Sequence, residues 1–277
     1  MNNKSLIYGL DSKVNQLKKH CSLFLDGEKE FQSAVNKLSI TPTFLFYGLP
    51  GTGKTTTAIE VYNQLKKDHN IDLEHLRIDQ LISYNFGESS KNLINFFDDL
   101  KVQCEKNDSY VYVVIDELDS FTTNRYQNDS ESIKRILLTF NNIIDELFLT
   151  DYQNRFILVA TTNMIENIDT AILRRFFFHE DFDIRLSKES FYEFLNEISF
   201  ISPLLEIEND EDKNKLFNMY QDKKQTLGEL KRIFAKQYLN LSIDIKTGTK
   251  KLDLTRFEEE KSTYEIILNQ KPEVKNV

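Results

Sequence analysis

A run of eight residues has the composition and spacing of a loop that binds phosphate. Gly48–Thr55 reads Gly-Leu-Pro-Gly-Thr-Gly-Lys-Thr and matches the pattern G-x-x-x-x-G-K-[ST] at every fixed position. Its glycines allow backbone conformations that are closed to residues with a Cβ, so successive N–H groups can converge on phosphate oxygens. We predict that Lys54 contacts the β- and γ-phosphates of a nucleoside triphosphate and that the Thr55 hydroxyl takes one Mg²⁺ position. The predicted phosphate-binding residues are Gly48, Pro50, Gly51, Thr52, Gly53, Lys54, Thr55 and Thr56.

Two adjacent carboxylates follow a second apolar segment. Tyr110–Ile115 has the length and composition of a buried parallel strand, and Asp116 and Glu117 come directly after it. We predict that Asp116 holds the Mg²⁺ shell and that Glu117 polarises the attacking water as a general base. An acidic pair at this place can also be a helix N-cap or a solvated loop. Its position downstream of a phosphate-binding loop favours the catalytic interpretation.

A polar amide ends a third strand-like segment. Arg155–Ala160 is followed by Thr161, Thr162 and Asn163. If this strand lies beside the phosphate-binding loop, the Asn163 amide can hydrogen-bond both the attacking water and the γ-phosphate. We therefore predict that Asn163 senses the state of the nucleotide.

These chemical residues need a scaffold of parallel strands and helices to bring them together. Residues 43–47 form a short apolar run typical of a buried strand, and 55–67 carry apolar residues at helical spacing. The pattern predicts an α/β P-loop NTPase core with a parallel sheet flanked by helices over residues 1–186. Charged helical segments follow, and they predict a small α-helical domain over 187–240, called the lid below, and a C-terminal extension over 241–277. Within that extension, the pattern predicts one helix over 255–268.

The composition limits the classes of protein to which the chain can belong. It has 277 residues, 40% of them hydrophobic, and a formal net charge of -9. This negative net charge argues against binding of nucleic acid through a broad basic surface. No segment predicts a membrane helix or a secretory signal, so we expect an intracellular, cytoplasmic protein. Cys21 and Cys104 are far apart and outside any metal-ligand pattern, which predicts reduced structural thiols.

Taken in order, five segments resemble the classical AAA ATPases of the larger AAA+ group. The likeness extends over roughly residues 5–240, and the ordered set is more specific than any single motif. The segments are Ile7–Asp11, Gly48–Thr55, Asp116–Ser120, Ala160–Asn163 and Asp169–Phe176. The resemblance implies hydrolysis of ATP with Mg²⁺, and it implies that Ile7–Asp11, including Gly9, packs beside the adenine ring.

The resemblance also implies a homo-oligomeric ring, usually of six subunits, with each nucleotide at a subunit boundary. Arg174 and Arg175 resemble the arginine-finger region, which offsets charge on the neighbour's γ-phosphate. The family often has a second arginine three residues after the first finger, whereas this chain has Phe178 there. In the lid, Lys231 or Arg232 of the segment Gly-Glu-Leu-Lys-Arg resembles the sensor-2 cation that contacts the γ-phosphate.

A further likeness concerns residues 83–89, which resemble the first pore loop of the family. There an aromatic and an apolar residue before a glycine grip an extended polypeptide in the central channel. Phe86 has the apolar position, but Asn85 stands where the aromatic is usual and Tyr84 comes one residue early. The predicted substrate-binding residues are Tyr84, Asn85, Phe86 and Gly87. A buried aromatic cluster is the alternative interpretation.

Three functions follow from these features. The preferred hypothesis is an oligomeric ATPase that remodels, disassembles or threads a protein substrate, with a protein adaptor or substrate as its partner. The second is a nucleic-acid-associated AAA+ loader or helicase accessory, which strong salt-dependent DNA binding would favour. The third is a nucleotide-controlled scaffold with negligible turnover.

Overall fold

The computed structural model describes residues 8–78, 88–120, 130–244 and 252–270. These described residues divide into two units: those within 1–48 and 54–182 form one, and those within 49–53 and 183–277 form the other. The strands of the first unit are β1 (Thr43–Tyr47), β2 (Ile71–Arg77), β3 (Tyr110–Asp116), β4 (Phe156–Thr162) and β5 (Phe178–Asp181). Its helices are α1 (Asp11–Asp26), α2 (Lys29–Leu38), α3 (Lys54–Leu65), α4 (Glu88–Asn107), α5 (Ser130–Leu149) and α6 (Thr170–Leu173), with short 3₁₀ turns at Asp151–Asn154 and Ile165–Asn167.

The five strands form one sheet in the order β2-β3-β4-β1-β5, and every neighbouring pair is parallel. This confirms the predicted α/β core. Because β1 lies directly beside β4 and β3 lies beside β4, the carboxyl ends of these three strands meet at one edge of the sheet. That edge is where ligands bind in open α/β sheets.

Both faces of the sheet are covered by apolar side chains, as the continuous apolar strands predict. Side chains alternate along each strand, so Val113 and Leu158 join one cluster while Tyr112 and Val159 join the other. Helices α4 and α5 cover the first face, and α1 and α3 cover the second. The three inner strands are therefore held on both sides, which fixes the positions of the residues at their ends.

Both cysteines lie in this core as free thiols, in agreement with their predicted structural role. Cys21 is 2% exposed on α1 and Cys104 is fully buried on α4. Burial disfavours the charged thiolate and raises the pKa of both thiols.

The second unit is helical in its described residues. Its helices are α7 (Lys188–Ile201), α8 (Asp210–Asp222), α9 (Leu227–Asp244), α10 (Thr255–Glu259) and α11 (Thr263–Gln270), with a 3₁₀ turn at Pro203–Leu205. Ser187 caps α7 through the Ser190 amide, and Asn209 caps α8 through the Asp212 amide. The described residues of the extension, 241–244 and 252–270, belong to this same unit.

The single helix predicted over 255–268 is wrong. The helix is interrupted between α10 and α11, where Ser262 and Glu265 form a reciprocal cap at the start of α11. The Glu265 amide donates to Ser262 Oγ at 3.1 Å, and the Ser262 amide donates to a Glu265 carboxylate oxygen at 2.7 Å. This pattern of Ser followed three residues later by Glu starts a new helix.

No helix within the described ranges combines the length and apolar character needed to cross a bilayer.

Candidate functional site

Lys54 joins the phosphate-binding loop to the end of β4. It is the first residue of α3 and is only 7% exposed. Its Nζ donates to the Gly48 carbonyl at 2.7 Å and to Asn163 Oδ1 at 2.9 Å. A nearly buried ammonium group needs such oxygen partners because desolvation without them is costly. The structure thus brings Lys54 and Asn163, predicted from separate motifs, to the same point.

Thr55 and Asp116 form the second contact of the site. The Thr55 hydroxyl donates to Asp116 Oδ1 at 2.8 Å, so the end of β3 lies beside the start of α3. A hydroxyl and a carboxylate are oxygen donors of the kind that Mg²⁺ prefers. These two oxygens, already adjacent, fit the predicted metal position.

The loop between β1 and α3 has the backbone that its glycines predict. Gly48, Gly51 and Gly53 have φ values of 136°, 79° and 95°, which residues with a Cβ rarely adopt. The Thr52 hydroxyl donates to the Leu49 carbonyl at 2.8 Å and closes the turn. Such turns direct backbone N–H groups inward.

The tip of this loop, residues 49–53, groups with the second unit, and one close contact explains the grouping. The Gly228 amide at the start of α9 donates to the Gly51 carbonyl at 3.1 Å. A Cβ built on Gly228 would lie 2.6 Å from that carbonyl oxygen and 2.9 Å from the Gly51 Cα. Only glycine at position 228 allows the two backbones to approach so closely.

Glu117 is exposed at the end of β3, next to Asp116. Its φ of 56° lies in the left-handed region, which is uncommon for a residue with a side chain. Backbone strain of this kind clusters at functional sites. The carboxylate predicted as general base is thus solvent-accessible at the edge of the sheet where Lys54 and Asn163 meet.

Asp119 is a residue whose role the sequence analysis missed. Its Oδ1 accepts a hydrogen bond from the Thr162 hydroxyl at 2.8 Å and another from the Asn163 amide at 3.3 Å. It therefore fixes the backbone from which the Asn163 side chain projects. The signal was present, because Asp119 belongs to the acidic segment that was matched to the family.

The two predicted arginine-finger residues differ in their surroundings. Arg175 is held within its own chain, with Nη2 donating to Asp145 Oδ2 at 2.6 Å and Nη1 to the Ala171 carbonyl at 2.5 Å. Its Nε also donates to the Asn141 carbonyl at 3.2 Å. Arg174 is exposed, and within the described part of the chain no hydrogen bond or ion pair joins its side chain to another residue. Arg175 is thus anchored within its own chain, whereas Arg174 is accessible.

The two candidate cations of the lid lie on α9. Lys231 is half-buried, and burial lowers its pKa while Glu197 opposes that shift. Arg232 is exposed.

Gly9, from the segment matched to the adenine-binding region, is exposed with a φ of 71°. The predicted pore-loop residues, 84–87, lie outside the described residues.

The chain is similar to proteins of a known family. Residues 44–184 match the model of the ATPase family associated with various cellular activities, abbreviated AAA. The chain is 29% identical over 185 residues to protein CdcH of Halobacterium salinarum, covering 66% of this chain and 23% of that protein. It is 30% identical over 172 residues to the 26S proteasome regulatory subunit 4 homolog of Saccharomyces cerevisiae, covering 61% of this chain and 36% of that protein. The chain therefore spans well under half the length of these relatives.

The fold is also similar to that of a chain in the structure of the E. coli MS115-1 HORMA:CdnC:Trip13 complex. The TM-score is 0.74 at 18% identity, with 92% of this chain and 90% of that chain covered. The family match covers just over half of the chain and includes β1 from its second residue, the phosphate-binding loop, both acidic residues and Asn163. The chain accordingly belongs to the AAA family.

Proposed function

We propose that the protein hydrolyses ATP with Mg²⁺ as a homo-oligomer, with six subunits as the expected number, and uses the energy to remodel a protein substrate. The main observation in support is that Lys54 contacts both Gly48 and Asn163. It places a cation and an amide where β1 and β4 end, beside the acidic end of β3. These are groups of the kind that sites for phosphoryl transfer use.

In this mechanism each residue has a separate task. The loop amides and Lys54 bind the phosphates, while Asn163 orients the attacking water and the γ-phosphate. Thr55 and Asp116 would hold Mg²⁺, which supplies positive charge to the phosphate oxygens when bound. Glu117 accepts the proton of the attacking water, because its exposed carboxylate lies next to Asp116 at the edge of the site.

The proposal assigns the arginine finger to Arg174, since Arg175 is already bonded to Asp145. Arg174 lines a groove of about 460 Å³ together with Leu149 and Phe177. These two apolar side chains are 85% and 48% exposed. An accessible cation beside exposed apolar surface suits contact with a second subunit. Lys231 or Arg232 would add the lid cation, and Gly9 would lie near the adenine.

The substrate proposed for the ring is an extended polypeptide gripped by Tyr84, Asn85, Phe86 and Gly87. The family match supports this assignment, and the net charge of -9 disfavours a partner with the charge of nucleic acid. The proposal places the protein in the cytoplasm, with a protein adaptor or substrate as its partner.

The experiment compares wild type, Glu117→Gln and Lys54→Ala for ATP binding, turnover and assembly with saturating ATP and Mg²⁺. We expect Glu117→Gln to bind ATP and assemble but to lose turnover, and Lys54→Ala to lose binding. Light scattering measures assembly, and phosphate release measures turnover. Wild-type turnover in Glu117→Gln, or full turnover by a strict monomer, would contradict the mechanism.

A second comparison tests the substrate class. Glu117→Gln should hold bound polypeptide in the presence of ATP, and adding Phe86→Ala should release it. Lys54→Ala is the nucleotide-free control. Retention of the same polypeptide by Glu117→Gln with Phe86→Ala would remove Phe86 from the substrate contact.

A further inference from the structure

One buried threonine of β4 makes hydrogen bonds with three consecutive residues of the acidic segment. Thr161 is 3% exposed. Its carbonyl accepts from the Leu118 amide at 2.8 Å, its hydroxyl accepts from the Glu117 amide at 3.3 Å, and that hydroxyl donates to Asp116 Oδ1 at 3.0 Å. We infer that Thr161 is a positioning residue that sets the geometry of Asp116 and Glu117 for hydrolysis. This inference rests on the roles proposed above for those two carboxylates.

The direction of each hydrogen bond follows from the chemistry of the groups. A backbone amide can only donate, so the Thr161 hydroxyl must be the acceptor of the bond from Glu117. Its one proton is then available to Asp116 Oδ1. The hydroxyl thus links the backbone amide of one acidic residue to the side chain of the other. A β-branched side chain also has few χ1 rotamers, which keeps this hydroxyl in place.

Glu117 needs such support because of its backbone. Its φ of 56° is a conformation that persists only where the surroundings impose it. The Thr161 hydroxyl and carbonyl hold the amides on both sides of the Glu117 Cα. Without the hydroxyl, Glu117 keeps only one of these two restraints, and its carboxylate loses its fixed direction.

Asp116 depends on the same hydroxyl in a different way. Its Oδ1 accepts from both Thr55 and Thr161. The Thr55 hydroxyl is the one proposed to take a Mg²⁺ position, whereas Thr161 is buried in the sheet behind the carboxylate. When the Thr55 hydroxyl turns from Asp116 to Mg²⁺, the hydrogen bond from Thr161 still orients the Asp116 carboxylate.

The experiment compares Thr161→Val, Thr161→Ser and a matched control, Thr57→Val. Valine keeps the shape of threonine and removes the hydroxyl, while serine keeps the hydroxyl. Thr57 is fully buried on α3, and its hydroxyl has no hydrogen-bond partner among the described residues. Thr57→Val is thus the same exchange without loss of a bond. For each variant, two kinetic quantities are measured: turnover and the Mg²⁺ concentration that gives half-maximal turnover. The affinity for a fluorescent ATP analogue without Mg²⁺ and the thermal midpoint are measured as well.

We expect Thr161→Val to lower kcat by about tenfold or more, with affinity for the nucleotide alone changed by less than about threefold. It should also require more Mg²⁺ for half-maximal turnover. Thr161→Ser should restore kcat to within about threefold of wild type, and Thr57→Val should match wild type. In Thr161→Val, hydrogen exchange at the Glu117 and Leu118 amides should become faster.

Separate outcomes distinguish this inference from the proposed function. Wild-type kcat in Thr161→Val, or no recovery in Thr161→Ser, overturns the positioning role even when Glu117→Gln is inactive. A normally active Glu117→Gln would instead overturn the proposed function. A fall in thermal midpoint with unchanged kcat and Mg²⁺ dependence would show a structural role only and would refute the inference.

Discussion

Replacing Arg175 by alanine should destabilise the first unit, although the sequence places this residue in the arginine-finger region. The side chain is only 22% exposed and joins α6 to α5 through three hydrogen bonds. Two of its acceptors are the carbonyls of Ala171 and Asn141, and the third is the Asp145 carboxylate. Truncation would remove all three bonds at once.

The expected loss of stability follows from the exposure of these partners. Asp145 is 46% exposed, so its ion pair with Arg175 should contribute at most about 1 kcal/mol. The two bonds from a charged donor to backbone carbonyls should contribute about 2 kcal/mol together, which is below the value for fully buried bonds. The sum of about 3 kcal/mol corresponds to a fall in thermal midpoint of about 6–12 °C for a protein of this size.

Thermal unfolding and ATP turnover are measured together for Arg175→Ala, Arg175→Lys and Arg174→Ala. Arg175→Lys should lose less stability than Arg175→Ala, since it keeps the charge but not the planar fork. Arg174→Ala should leave the midpoint within about 2 °C of wild type, because exposed substitutions change stability little. Its turnover should fall in the assembled form, with ATP binding preserved. If Arg175→Ala melts like Arg174→Ala and alone abolishes turnover, then the assignment of anchor and finger is reversed.

Three further predictions concern the loop and its metal. Lys54→Ala should weaken ATP binding by at least about tenfold, since it removes a charged phosphate contact and the link to Asn163; equal affinity in a calorimetric titration would contradict this. Gly228→Ala should lower the thermal midpoint, because the clash with Gly51 at 2.6 Å costs about 1–3 kcal/mol and outweighs the gain of about 1 kcal/mol in helix propensity; a higher midpoint would refute the close packing. Removing Mg²⁺ with EDTA should stop phosphate release while ATP still binds; full turnover in EDTA would exclude the roles given to Thr55 and Asp116.

The sequence predicted those features that depend on local pattern. The bounds of β1 are those expected, and α3 begins one residue earlier than predicted. The meeting of Lys54 with Asn163 could be expected once β4 was placed beside the loop. In each case the period of a strand or the fixed spacing of a motif is sufficient to predict the feature.

Features that depend on distant side chains could not be predicted in this way. The anchoring of Arg175 depends on Asp145, 30 residues earlier, and on how α5 packs against α6. The role of Thr161 depends on the register between β3 and β4, where Ala160 lies opposite Ile115. Sequence spacing carries no information about such pairs, so only the packed structure reveals them.

The burial of both cysteines has a practical consequence. With no accessible thiol at Cys21 or Cys104, and with the pKa of each raised, a maleimide dye should not react with the folded chain. A cysteine introduced on the surface would then carry the sole fluorophore, with no native thiol to remove first. Dyes attached in place of Arg174 could report, through energy transfer, when two copies of the chain come together around ATP.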